Sequence, residues 1–235
     1  MKRFNAHPAM KLSYYGHSCF AVQVGGKTLL FDPFIAPNPL ASHIKIDTIE
    51  ADYILISHGH FDHINDAVEI AKRTGATVIS NFEIVVWLGK HGIEKTHPLN
   101  HGGGRTFDFG RVKFVNAVHS SQLPDGSYGG NPGGFVVQNA QDTFYYSGDT
   151  ALTHDMHFIA QEFDLRFAVL PVGDNFTMGA HDAAKAAGLL KCNRVVGVHY
   201  DTFPVIKIDH AEATATFART GVKLELVPIG ESLDL

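Results

Sequence analysis

Apolar residues in the first third of the chain come in short runs, Lys11–Tyr15, Phe20–Val24, Lys27–Phe31 and Tyr53–Ser57. Each has the length and the β-branched or aromatic content of a strand. Gly25-Gly26, between the second and third runs, predicts a two-residue hairpin turn. The period then changes. Ile64, Ala67, Val68 and Ala71 fall at i, i+3, i+4 and i+7, and Gly75 follows, which predicts a one-faced helix stopped by a left-handed glycine. A strand over Thr77–Ser80, a helix over Phe82–His91 and a strand pair over Thr106–Phe109 and Lys113–Ala117 complete this half.

The second half repeats that grammar. Strands are predicted over Phe135–Gln138, Thr143–Ser147, Phe167–Val172, Arg194–Val198 and Lys223–Val227. Helices are predicted over His154–Glu162, Asp182–Leu190 and Asp209–Arg219, the last opened by an Asp209/Glu212 capping pair. Strands first, then strand and helix in alternation, predict an α+β fold: a four-layer αββα sandwich, two mixed β-sheets packed face to face with helices outside. Residues 10–235 read as a single domain of two similar halves, and residues 1–9 as a loose leader.

Composition sharpens this reading. Of 235 residues, 45% are hydrophobic and 18% charged, enough apolar material for a sizeable core and too much for a disordered chain. The net charge of -5 offers no electrostatic footprint for nucleic acid or an anionic membrane. Two cysteines, Cys19 and Cys192, cannot make a disulfide scaffold and read as buried small hydrophobes. Met1-Lys2-Arg3 is basic, but Phe4–Ala9 is no apolar signal segment, and no apolar run is long enough for a bilayer; a cytoplasmic protein is expected. Histidine is in excess: 15 residues against 19 Lys and Arg together.

Five of the seven residues in Ser57-His58-Gly59-His60-Phe61-Asp62-His63 carry polar side chains, and the stretch lies between an apolar strand and a helix, where α/β architectures place ligands. His58 and His60 are two apart, so an extended loop aims both the same way. With Asp62 and His63 at the helix entry, four metal-competent side chains lie within six residues. One tetrahedral ion that keeps an open position cannot use them all, so two ions are the economical reading. A lone His-x-His would read as a polar surface loop; the full string in this context does not.

The string resembles the signature of the metallo-β-lactamase superfamily, and the resemblance runs from about residue 11 to 230. It implies further ligands at strand ends: His119, Asp149 within Tyr145-Tyr146-Ser147-Gly148-Asp149-Thr150, and His199. Three further stretches, Tyr15-Gly16-His17-Ser18-Cys19-Phe20, Gly173–Gly179 and His199-Tyr200-Asp201-Thr202-Phe203-Pro204, resemble a compact subgroup of metal-dependent hydrolases, similar in turn to the ascorbate-phosphate lactonase branch. That pattern has Asn where this chain has Asp201, which would add negative charge beside the site. By the resemblance, His58, His60 and His119 hold one divalent ion, Asp62, His63 and His199 a second, and Asp149 lies between. Zinc is the first expectation, with manganese, iron or nickel compatible with the carboxylates. A metal-bridging hydroxide would attack the substrate at a net positive centre, with Asp62 as the catalytic group that orients it and carries a proton.

Four weaker candidates accompany these. Asp32 ends a strand and is either an acceptor that fixes the metal loop or a plain turn carboxylate. His17 follows a strand and either reaches the pocket or is structural. Tyr128, with Leu123, sits in the Gly/Pro-rich stretch Ser120–Gly134 and either shapes the substrate site or merely joins two strands. Asp201 is the fourth. The expected function is hydrolysis of a small-molecule ester, lactone or phosphoester. Two alternatives stand beside it: a ribonuclease-like phosphodiesterase, disfavoured by the acidic net charge, and a non-catalytic metal-binding sensor, disfavoured because structural sites are usually closed and thiolate-rich. The short chain has no insertion to cover the site, which leaves a second copy in a homo-oligomer as a candidate lid.

Overall fold

The computed structural model describes residues 10–235; the leader expected over residues 1–9 lies outside them. The first sheet is built from β1 (Lys11–Gly16), β2 (Cys19–Val24), β3 (Lys27–Phe31), β4 (Tyr53–Leu55), β5 (Thr77–Asn81) and β6 (Thr96–Leu99). The second contains β7 (Gly104–Phe107), β8 (Gly110–Asn116), β9 (Gly133–Gln138), β10 (Thr143–Tyr146), β11 (Phe167–Pro171), β12 (Arg194–Val198) and β13 (Lys223–Glu225). A last strand, β14 (Ser232–Asp234), returns to pair with β1 at the edge of the first sheet. In both sheets an antiparallel meander comes first and a parallel stretch follows, through β3-β4-β5-β6 in one and β10-β11-β12-β13 in the other.

Alternation along the strands makes the layers. Phe20, Phe31, Phe114, Phe135, Phe144 and Tyr146 are buried between the sheets, with Phe20 and Phe31 stacked at 4.5 Å. The opposite faces, carrying Leu30, Ile54 and Val78 in one sheet and Ala168, Leu170 and Val195 in the other, meet helices. On the first sheet, α1 (Phe61–Ile64) is followed by α2 (Ala67–Thr74) and α3 (Phe82–Lys90), whose Ile70, Ile84 and Leu88 pack inward. The second sheet is covered by α4 (Asp155–Glu162), α5 (Ala180–Leu189) and α6 (His210–Ala218). Ala183 and Ala187 let α5 lie close to the sheet, and Phe217 of α6 fills the remaining space. The result is the αββα sandwich with its two mixed sheets. Among the described residues no helix is long and apolar enough to cross a membrane.

Three differences from the periodicity have physical causes. The helix expected from Ile64 onward is broken into α1 and α2 because Asp66 is buried and its carboxylate accepts the amides of Ile35 (2.5 Å) and Ala36 (2.9 Å). Strands β6 and β14 were not readable: both are edge strands, and Thr96-His97-Pro98-Leu99 carries the proline that edges tolerate and central strands do not. Asp209 does cap α6, accepting from Ala211 and Glu212 amides, but Glu212 pairs with Arg219 at 3.0 Å instead of reaching back.

Candidate metal centre

Chain ends of several strands converge on one rim between the sheets. His17 follows β1, Asp32 follows β3, and His199 follows β12, each with a left-handed backbone (φ 55°, 40° and 57°) that turns the chain sharply and aims the side chain inward. Such residues are strained by about 1–2 kcal/mol each and persist where surrounding structure enforces them. The His58–His63 segment leaves β4, and Asp149 leaves β10. At His199 the neighbouring chain approaches so closely that a Cβ on Gly173 would lie 2.0 Å from the His199 carbonyl oxygen. Gly173→Ala is therefore expected to cost about 2–3 kcal/mol and to displace His199; a thermal melt identical to the parent's would contradict this.

Among the described residues three donor groups form: Asp32, His58 and His63, all buried, and two clusters that reach the cavity. His58, His60 and His119 offer ligand atoms within 4.8 Å of one another, and so do His17, Asp62, His63 and His199. Asp149 stands between them: its Oδ2 is 2.9 Å from His199 Nε2, 3.3 Å from His63 Nε2 and 3.6 Å from His119 Nε2. Asp62 Oδ2 lies 3.8 Å from His63 Nε2 and 3.9 Å from His199 Nε2. His63 Nε2 and Asp149 Oδ1 are buried without a hydrogen-bond partner, which a bound cation would relieve. The donors are all imidazole and carboxylate, with no thiolate among them, a set suited to a hydrolytic divalent ion that keeps open positions. The residues fit a metal.

Hydrogen bonds behind the donors orient them. Buried Asp32 accepts from Ser57 N at 2.7 Å, Ser57 Oγ at 2.5 Å, His63 Nδ1 at 2.7 Å and Tyr146 Oη at 2.5 Å. A carboxylate that only accepts holds His63 as the Nδ1–H tautomer, leaving Nε2 free to ligate. Ser57 Oγ has spent its proton on Asp32, so it accepts from His58 Nδ1 at 3.0 Å, which leaves His58 Nε2 as the accepting nitrogen, 2.9 Å from His60 Nδ1. On the other side, His17 Nε2 donates to Asp62 Oδ2 at 2.9 Å while His17 Nδ1 lies 3.0 Å from Thr202 Oγ1.

Electrostatics agree with this arrangement at every donor but His63. Burial, aided by the charge of His63, pushes His58 and His60 below the usual imidazole range, and burial does the same for His119, so each is a neutral imidazole at neutral pH, with one N–H and one nitrogen free to ligate. Burial and the neighbouring His199 lower His17 to about 4. For Asp62 and Asp149 burial works against ionisation but is outweighed, by His63 and His17 in the first case and by His199 and His63 in the second. His63 goes the other way: Asp149, Asp62 and Asp32 overcome its burial and raise its pKa.

The clusters form the floor of a cavity of about 660 Å³ lined by His60, Asp62, His119, Asp149 and His199 and, above them, by apolar side chains. The 120–134 stretch supplies Ser120, Gln122, Leu123 and Pro124 to its wall. It is tied down through Ser121 Oγ, which accepts from Gly59 N at 3.0 Å, and through Trp87 Nε1, which donates to Asp125 at 3.0 Å. Tyr128 is not part of that wall: its ring is 64% exposed and its hydroxyl donates to Asn131 at 2.7 Å. Asp201 also stays out of the cavity. It accepts from Ile208 N at 3.0 Å and pairs with His210 Nε2 at 2.7 Å, and its φ of 63° lies in the left-handed region that Asp and Asn adopt more readily than most residues. Tyr146, Asp66 and the phenylalanines of the cavity wall were not singled out by sequence reasoning. A buried tyrosine that must place its hydroxyl was the one available signal.

Fold, rim and donor chemistry together define a metal-dependent hydrolase of the metallo-β-lactamase fold. Residues 11–199 match the family model described as the Beta-lactamase superfamily domain. The chain belongs to that superfamily and, within it, to the UPF0173 metal-dependent hydrolases. It is 54% identical over 226 residues to the UPF0173 metal-dependent hydrolase of Methylacidiphilum infernorum and 50% identical to that of Flavobacterium johnsoniae, covering 96% of this chain and 100% of each relative. Among solved structures it resembles Igni18, a metallo hydrolase from the archaeon Ignicoccus hospitalis, with a TM-score of 0.87 at 34% identity over 97% of this chain and 98% of that one. An isothiocyanate hydrolase from Delia radicum gut bacteria shares the fold, with a TM-score of 0.75 at 20% identity over 96% of this chain and 99% of that one.

Proposed function

We propose that this hydrolase acts on a small ester, lactone or phosphoester with two divalent ions, zinc first. His58, His60 and His119 would hold one ion, Asp62, His63 and His199 the other, and Asp149 would be shared. The observation that carries the reading is the position of Asp149, within 3.6 Å of nitrogens from both clusters. Bound ions would supply Lewis acidity and lower the pKa of a coordinated water toward about 7. The chain's own residues do the rest. Asp62, steadied by His17, faces the cavity and can take a proton from the attacking water and pass it to the leaving oxygen. The apolar wall excludes bulk water from the reacting atoms.

The absence of Lys and Arg among the described residues lining the cavity favours a small-molecule substrate over a nucleic-acid backbone. Buried free thiols at Cys19 and Cys192 suit a reducing compartment such as the cytoplasm. Elemental analysis of the purified protein tests the reading. About two ions per chain are expected, removed by a chelator together with hydrolysis and restored by zinc or manganese. Full turnover with one ion per chain would overturn the two-ion mechanism, and stoichiometric metal with no hydrolysis of esters, lactones or phosphodiesters would favour the sensor.

A further inference from the structure

The cavity above the donor clusters is walled largely by apolar side chains. Phe61 follows His60 at the start of α1 and is 50% exposed; Phe176 is 55% exposed and Val205 57%. Phe176 stands at the tip of the 173–179 loop, lifted there by two consecutive left-handed residues, Asp174 (φ 62°) and Asn175 (φ 57°). Phe203 completes the wall, packed edge-on against His17 at 5.4 Å, and Leu123 and Pro124 face it. Large apolar side chains gathered at a water-filled site are a cost unless something apolar covers them during function.

Charge points the same way. Beyond the metal ligands, no Lys or Arg lies among the described residues that line the cavity. A phosphorylated lactone would place its phosphate several ångströms from the reacting carbonyl, where recognition calls for guanidinium or ammonium groups or clustered N–H donors. Here that position is occupied by phenylalanine, leucine, valine and proline.

We infer that the substrate is an uncharged ester, open-chain or cyclic, whose non-reacting part is an alkyl or aryl group seated against Phe61, Phe176 and Phe203, and that phosphate esters are poor substrates. The inference rests on the hydrolytic reading above. In the reaction, the water oxygen bonds to the acyl carbon and the acyl C–O bond breaks. The departing oxygen receives the proton that Asp62 took from the water, so ester and water become acid and alcohol. A volume of about 660 Å³ accommodates a molecule the size of an aryl hexanoate.

The test uses the metal-loaded full-length protein with 4-nitrophenyl acetate, 4-nitrophenyl hexanoate and 4-nitrophenyl phosphate. A buried methylene is worth about three- to four-fold, so the hexanoate should exceed the acetate in kcat/KM by about ten-fold or more. The phosphate should be at least about a hundred-fold slower than the hexanoate. Phe176→Ala, at an exposed position that leaves folding intact, should shrink the hexanoate-to-acetate ratio by about three-fold or more. Phe158→Ala, on an exposed face of α4 outside this cavity, should leave the ratio unchanged. Binding of hexananilide, a neutral amide, is measured separately by calorimetry in the parent and in Phe176→Ala. A ratio near one, a ratio insensitive to Phe176→Ala, or phosphate turned over as fast as hexanoate overturns the substrate class while hydrolysis itself stands. Hexananilide binding weakened by Phe176→Ala, with no ester hydrolysed, keeps the apolar pocket and overturns the hydrolytic reading.

Discussion

Asp149→Ala is expected to abolish hydrolysis, lowering kcat/KM by about three orders of magnitude or more, and to empty the protein of its metal. The carboxylate is buried and, among the described residues, is the one carboxylate within 3.6 Å of His63, His199 and His119 at once. Without it three imidazoles face one another with only Asp62 left near them, 3.8 Å from His63 and 3.9 Å from His199, and each bound cation would add repulsion that this one carboxylate does not offset. The neighbouring carboxylate, Asp62, is already held by His17. Elemental analysis and turnover are read on the same sample. Undiminished hydrolysis by a metal-free Asp149→Ala protein would remove the basis for placing the chemistry on this rim.

A second large effect is expected at Asp32, which touches neither cavity nor substrate. Four donors converge on its two oxygens, and two of them come from different sheets, Ser57 from the first and Tyr146 from the second. In Asp32→Asn, the residue can still adopt the left-handed backbone, so the change isolates the side chain. The amide NH2 would then meet donors on its own side. It can be accommodated by donating to His63 Nδ1, but that shifts the imidazole proton to Nε2, the nitrogen that faces Asp149. Metal affinity should fall about 10- to 100-fold and stability by about 3 kcal/mol. For a chain of this size that is roughly 6–12 °C in melting temperature. An Asn variant that melts and binds zinc as the parent does would show that Asp32 is only a turn residue.

Much of the site could be read in one dimension because its signal is local. His58, His60, Asp62 and His63 lie within six residues, and strand-then-helix patterning around them tells which way the loop must face. His199 follows its apolar strand directly and Asp149 follows β10 after Ser147-Gly148, so an apolar run passing into polar residues marks them once the motif suggests what to seek. Tyr128, readable either as a wall residue or as part of a plain connection, lies outside the cavity wall for the opposite reason. Its loop does line the cavity, but which residue of an irregular loop points inward depends on anchors elsewhere, here Ser121 on Gly59 and Trp87 on Asp125. Asp201 looked like added charge at the site; the structure spends that charge on His210. Asp66, read as one more position in a helix, is the buried carboxylate that breaks it.

The amino-acid sequence by itself determined the layered fold, the rim on which chemistry would sit and the donor types that meet there, since periodicity, strand ends and ligand spacing are properties of neighbouring residues. Tertiary structure alone decided what those donors do. The Asp32–Tyr146 bond spans 114 positions and the His17–Thr202 contact 185. The cavity wall combines Phe61, Phe176 and Phe203 from three separate segments. Tautomer, protonation and the polarity of a pocket depend on which groups lie within a few ångströms, and only the packing of the two sheets brings those groups together.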